Sequence, residues 1–75
     1  MYVKHNSIAL MRLERKKRGI TEVEMSRRMG LNSAQHYWNI ENGKNRLTLE
    51  YAALAAKALN VDPSFFICEI VKRKV

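Results

Sequence analysis

The sequence predicts an all-α fold of five helices in one small domain, and three observations carry that prediction. Its 75 residues include only three Gly and one Pro, so breaks are few and each can be read. Between them, apolar residues recur at three- and four-residue spacing, the period of a helix with one face inward. No run of useful length alternates apolar with polar, as a half-buried strand would.

The elements follow in order. Over residues 7–18, Ile8, Met11 and the stem of Arg15 form one stripe with Leu10 and Leu13 beside it; Asn6 is the expected cap and Gly19 the stop. Thr21 followed three residues later by Glu24 is a capping-box pattern, and Val23, Met25 and Met29 give a second, short helix an apolar side before Gly30. After the turn Leu31-Asn32, Ser33 caps a third helix that runs to Asn42 and closes at Gly43, with Ala34, Tyr37, Ile40 and Glu41 inward. Thr48 opens a fourth helix to Leu59 that packs through Tyr51, Ala52, Ala55 and Leu59, and Asn60 ends it. Asp62-Pro63, a cap with Pro at the first helical position, starts a fifth over residues 63–73. That helix carries Phe65, Phe66, Ile67, Ile70 and Val71 on more than one face, more apolar surface than closing a small core requires, and part of it is expected to form a two-fold interface.

Charge narrows the function. Lys and Arg number 14 against 7 for Asp and Glu, a net of +7. Residues 1–46 hold ten of the bases and four of the acids, so the excess sits on the first three helices. A solvated face is the ordinary reading of Arg15-Lys16-Lys17-Arg18 alone; the asymmetry points instead to a polyanionic partner, a nucleic acid.

Size and residue chemistry exclude much else. A chain this short hides about 60 to 65% of its unfolded surface and is held by roughly 4 to 11 kcal/mol, little room for a catalytic cleft. There is no paired carboxylate, no nucleophile with a base and no glycine-rich phosphate loop, so no enzyme is expected. The single cysteine, Cys68, with His5 and His36 cannot complete a four-ligand zinc site, and no metal, cofactor or small-molecule ligand is expected. Cys68 in its apolar run reads as an inert buried thiol. Met11, Met25 and Met29 read as core filler. With no span of ~18 apolar residues and no secretory run, a soluble cytoplasmic protein with no membrane partner is expected, and no segment is left over for ligand sensing.

A short helix, a tight turn and a second short helix within a basic helical domain is the helix-turn-helix arrangement, in which one helix enters the ~12 Å major groove and its predecessor braces it. Thr21-Glu22-Val23-Glu24-Met25-Ser26, Gly30, Ile40-Glu41-Asn42-Gly43-Lys44 and Ala55-Ala56-Lys57-Ala58-Leu59-Asn60-Val61 resemble the Cro and phage-repressor (XRE-type) helix-turn-helix family over residues 8–62. The resemblance implies a compact lambda-repressor-like DNA-binding domain with its motif at residues 21–42. It also implies that Arg15 pairs with Glu41 to tie the first helix to the end of the reader. Three features differ from the family pattern. Glu22 stands where Gln is usual, ten residues rather than nine separate Gly30 from Glu41, and Trp38 replaces a small residue.

Gln35 and Asn39 lie four apart on one helical face, and each amide can pair with an adenine edge, a contact worth about 1 to 3 kcal/mol of discrimination. His36 and Trp38 flank that face as further base-reading candidates; Trp38 either lies against the groove wall or folds back over the domain. Arg18, Thr21, Ser33, Asn42, Lys44 and Arg46 are candidates for the DNA backbone, where contacts set register. The implied protein is a sequence-specific transcriptional regulator, a repressor or controller-type protein acting as a homodimer on a palindromic operator. Two alternatives stand beside it, an antitoxin-like interaction module that also binds DNA and a nonspecific or RNA-binding basic module.

Overall fold

The computed structural model describes residues 2–68. It holds four α-helices, α1 Ser7–Lys17, α2 Glu22–Met29, α3 Ala34–Glu41 and α4 Leu49–Leu59. Strands β1 Tyr2–Val3 and β2 Ile67–Cys68 pair antiparallel, and one turn of 3-10 helix spans Pro63–Phe65. None of these helices is long and apolar enough to cross a membrane.

Local chemistry fixes the helix ends. Thr21, Ser33 and Thr48 cap α2, α3 and α4, each side-chain oxygen accepting from the backbone N–H three residues on, which satisfies an otherwise orphaned donor. Asn6 occupies the cap position of α1 without a side-chain hydrogen bond. The start of α1 is held from across the chain instead, where the buried Ser7 hydroxyl donates to the Phe66 carbonyl at 2.9 Å. At the other ends, Gly30 and Asn60 close α2 and α4 with φ of 76° and 60°.

The expected fifth helix is not formed over the described part of residues 63–73. Asp62 caps the turn as expected, accepting from Ser64 N–H at 2.8 Å, but the helical turn ends at Phe65, with Phe66 as its C-cap. Ile67 and Cys68 then pair with Val3 and Tyr2. Two adjacent aromatic rings and a β-branched residue give this stretch little helix propensity, and β1 offers it a backbone partner. Ile70 and Val71 lie outside the described residues. The two-residue strands add a short ribbon to a domain that is otherwise all-α, with four α-helices rather than five among the described residues.

The core is one cluster, built on Met11, Met25, Met29, Tyr37, Ile40, Leu59 and Phe66 with the small residues Ala52, Ala55 and Ala56 of α4. The alanines let the other helices pack close to α4. Phe66, expected at a subunit interface, is fully enclosed within its own chain, edge-on to the half-buried Phe65 at 5.2 Å between centroids. Leu13 and Val23 point outward, 60% and 56% exposed, while Ser26 takes the inward position beside Met25. The half-buried Cys68 sits opposite Tyr2 in the ribbon rather than in the core. Phe66→Ala is expected to cost about 3 to 5 kcal/mol, read as a lower urea midpoint, whereas Phe65→Ala should cost distinctly less.

Candidate nucleic-acid interface

The angle between α1 and α3 is set by a buried cluster of charge. Glu41, the last residue of α3, is 2% exposed and receives Arg15 Nη2 at 3.1 Å and Arg12 Nε at 3.0 Å on the same oxygen, Oε2. Arg12 Nη2 also donates to the Glu41 carbonyl at 3.1 Å, and Arg15 Nη1 to the Ile20 carbonyl at 2.8 Å. A buried carboxylate is tolerable because two guanidiniums neutralise it. The Arg15 guanidinium lies 5.8 Å from the centroid of the Tyr37 ring. Burial, and then the nearby Glu41 charge, push the Tyr37 phenol well above its ordinary value of 10.0, against the opposing pull of Arg15. Its hydroxyl is buried without a hydrogen-bond partner.

With α3 held at that end, the turn from α2 fixes its start. Gly30 is in the left-handed region, and Leu31 N–H donates back to the Ser26 carbonyl at 2.9 Å, a closure that favours a residue without Cβ. The chain then needs only Leu31 and Asn32 to reach the Ser33 cap, whose hydroxyl oxygen accepts from His36 N–H at 3.2 Å.

The inward side of α3 is Tyr37, Ile40 and Glu41, so its opposite side faces out. There Gln35 Nε2 donates to Asn39 Oδ1 at 3.0 Å. The bridge leaves Gln35 Oε1 as an acceptor and both Asn39 Nδ2 hydrogens as donors on one exposed edge. Trp38, 36% exposed, borders this edge on the α2 side, and the Lys44 ammonium lies 5.9 Å from its ring centroid. His36 borders it on the α4 side, half-buried and edge-on to Tyr51 at 5.4 Å. Beyond the end of α3, Lys44 and Arg46 are exposed, in a loop whose Lys44 and Asn45 N–H groups both donate to the Asn39 carbonyl.

A helix-turn-helix family profile matches residues 11–66, a span that contains the cap, turn, buried ion cluster and outward amide face. The chain belongs to the XRE-type helix-turn-helix family. This makes it a DNA-binding domain of the transcriptional-regulator class. Neither the curated proteins nor the solved structures yield a match.

Within this helix-turn-helix domain, the sequence-predicted residues divide by what already engages them. Gln35, Asn39 and Trp38 share the outward face of α3, and Lys44 and Arg46 stand beside it. Thr21 and Ser33 are caps whose oxygens are used within the fold, which leaves each hydroxyl hydrogen for an acceptor. Asn42 Nδ2 donates to the Trp38 carbonyl at 2.9 Å, and Arg18 is paired with Glu14 one turn back. Arg18, with help from Lys17, holds the Glu14 carboxyl below its ordinary value. The family resemblance gives Glu41 only Arg15 as partner; the second, Arg12, stands three residues before Arg15, which puts both on one side of α1. The His36–Tyr51 contact also has no signal in sequence spacing.

Glu41→Ala should leave Arg15 buried without its carboxylate and cost about 3 to 5 kcal/mol, whereas Arg12→Ala, at a side chain 44% exposed, should cost about 1 kcal/mol or less. Denaturant titration of both variants tests the ranking.

Tyr37→Phe should be neutral or slightly stabilising at pH 7, since the buried hydroxyl it removes is unpaired. Because the folded-state pKa of Tyr37 is raised above that of the unfolded chain, its contribution is fully present below about pH 10 and is lost as pH rises further. Unfolding free energies above pH 10 should therefore fall more steeply for the parent than for Tyr37→Phe.

Proposed function

We propose that this protein is a sequence-specific regulator of transcription that places α3 in the major groove as a homodimer on a palindromic operator, a repressor or controller-type protein without catalysis or cofactor. The observation that carries this reading is the bridged Gln35–Asn39 pair on the exposed side of a helix whose other side is locked to α1. Paired amides reach the N6 and N7 atoms of adenine, and Lys44 and Arg46 beside them suit phosphates on either side of the groove.

In this reading Trp38 and Lys44 act together. The indole lies against the groove wall while the ammonium above it shifts to a phosphate, so the ring gives up one cation as the duplex supplies its sugar and base edges. His36 is a flank residue whose ring is steadied by Tyr51. The homodimer presents two α3 helices about 34 Å apart, one helical turn of DNA. Phe65 and Ile67, half-buried, remain the described part of the proposed two-fold contact.

Duplex selection from a random pool, followed by binding at several salt concentrations, tests the proposal. Gln35→Ala should lose about 1 to 3 kcal/mol of discrimination at one base pair per half-site, while Lys44→Ala weakens all duplexes alike and lowers the salt slope by about one. Equal loss on every sequence for Gln35→Ala would remove that side chain from the base edge. A selected site without two-fold symmetry would remove the homodimer.

A further inference from the structure

We propose that Glu22 is a base-reading residue that selects cytosine, an inference that rests on the groove-binding reading of α3 and adds a second reader from α2. Glu22, Ala34, Gln35 and Trp38 line a cleft of about 200 Å³ between the first turns of α2 and α3. The cleft opens beside the amide edge of Gln35, so a duplex seated on α3 covers its mouth.

The chemistry of the lining is uneven. Glu22 contributes a carboxylate whose side chain is 40% exposed, and its nearest cation is Arg15 Nη2 at 3.9 Å. That nitrogen is closer to Glu41, at 3.1 Å, so the Glu22 oxygens keep most of their acceptor capacity. Ala34 and Trp38 contribute a methyl group and an indole, and Gln35 is turned toward Asn39. A base edge entering here meets a negative acceptor next to apolar walls.

Only one base suits that combination. In the major groove guanine presents two acceptors, N7 and O6, and thymine presents the O4 acceptor beside its methyl group, so both would oppose a carboxylate. Adenine offers the N6 donor with the N7 acceptor adjoining it. Cytosine alone offers a donor, the N4 amino group, whose groove-side neighbour is a carbon. The amino group satisfies the carboxylate and the carbon edge lies against Ala34 and Trp38. Guanine and thymine set an acceptor against a desolvated carboxylate, and adenine sets N7 against it beside the N6 donor, so the discrimination exceeds the attraction to cytosine alone. Glu22 is also unsuited to the duplex backbone, since phosphate would face it with like charge.

Site selection with the intact chain and with Glu22→Gln tests this. The parent should fix cytosine at one position per half-site, next to the pair that responds to Gln35. Glu22→Gln, checked for folding by its urea midpoint, should admit adenine there and reduce the cytosine preference by about 5- to 150-fold, the range of one good base contact. The parent should also lose affinity when that cytosine is replaced by 2-pyrimidinone, which lacks the amino group, and Glu22→Gln should lose distinctly less. Equal losses for the two proteins, or identical selected sites, would overturn the proposal while leaving groove binding by α3 intact. Failure of the parent to select any duplex would instead overturn the groove-binding reading, and the cytosine assignment with it.

Discussion

The geometry of the reading helix depends on one buried carboxylate. Glu41 closes α3, and its single oxygen Oε2 gathers guanidiniums from two turns of α1. Apolar packing through Tyr37 and Ile40 holds α3 onto the core, but such contacts tolerate sliding and rotation. Charge-assisted hydrogen bonds do not, because donor and acceptor directions are both fixed. Arg15 carries the constraint further by donating to the Ile20 carbonyl, just ahead of α2. One cluster thereby relates α1, the entry to α2 and the end of α3.

Six of the ten bases in residues 1–46 are held by three carboxylates within the fold. Arg12 and Arg15 serve Glu41, Arg18 and Lys17 serve Glu14, and Arg27 and Arg28 both reach Glu24. Arg28 also donates to the Ala58 carbonyl at 3.2 Å and links α2 to α4. Lys44 and Arg46, in the loop after α3, carry their charge outward beside the amide face. A polyanion seated on the amide face would therefore meet their charge at its edge, added to the surplus that the paired clusters leave.

The sequence makes α2, α3 and α4 legible because each carries its own punctuation, and α1 through its apolar stripe and the Gly19 stop. Thr21, Ser33 and Thr48 act as caps, and Gly30 and Asn60 adopt the left-handed conformation their residue types favour. The amide face is legible from the four-residue spacing of Gln35 and Asn39, and the Arg15–Glu41 pair from the family resemblance. The segment after Pro63 is not legible in the same way. Its cap and Pro signal a start, but pairing with Tyr2 and Val3 depends on residues more than 60 positions away, which no local pattern encodes. The Phe66 carbonyl shows the same dependence, since it accepts from both Lys4 N–H and the Ser7 hydroxyl. A phenylalanine counted as surplus on a terminal helix thus becomes the plug of the core.

Trp38 is the sole tryptophan of the chain, and it stands on the outward rim of α3 with a lysine ammonium over its ring. Indole emission responds to the polarity and charge immediately around it, and here no second fluorophore of its kind dilutes the signal. The protein therefore carries a native optical probe at the rim of its reading face. Stopped-flow mixing can follow the arrival of a ligand there in real time, with no dye attached and no residue altered.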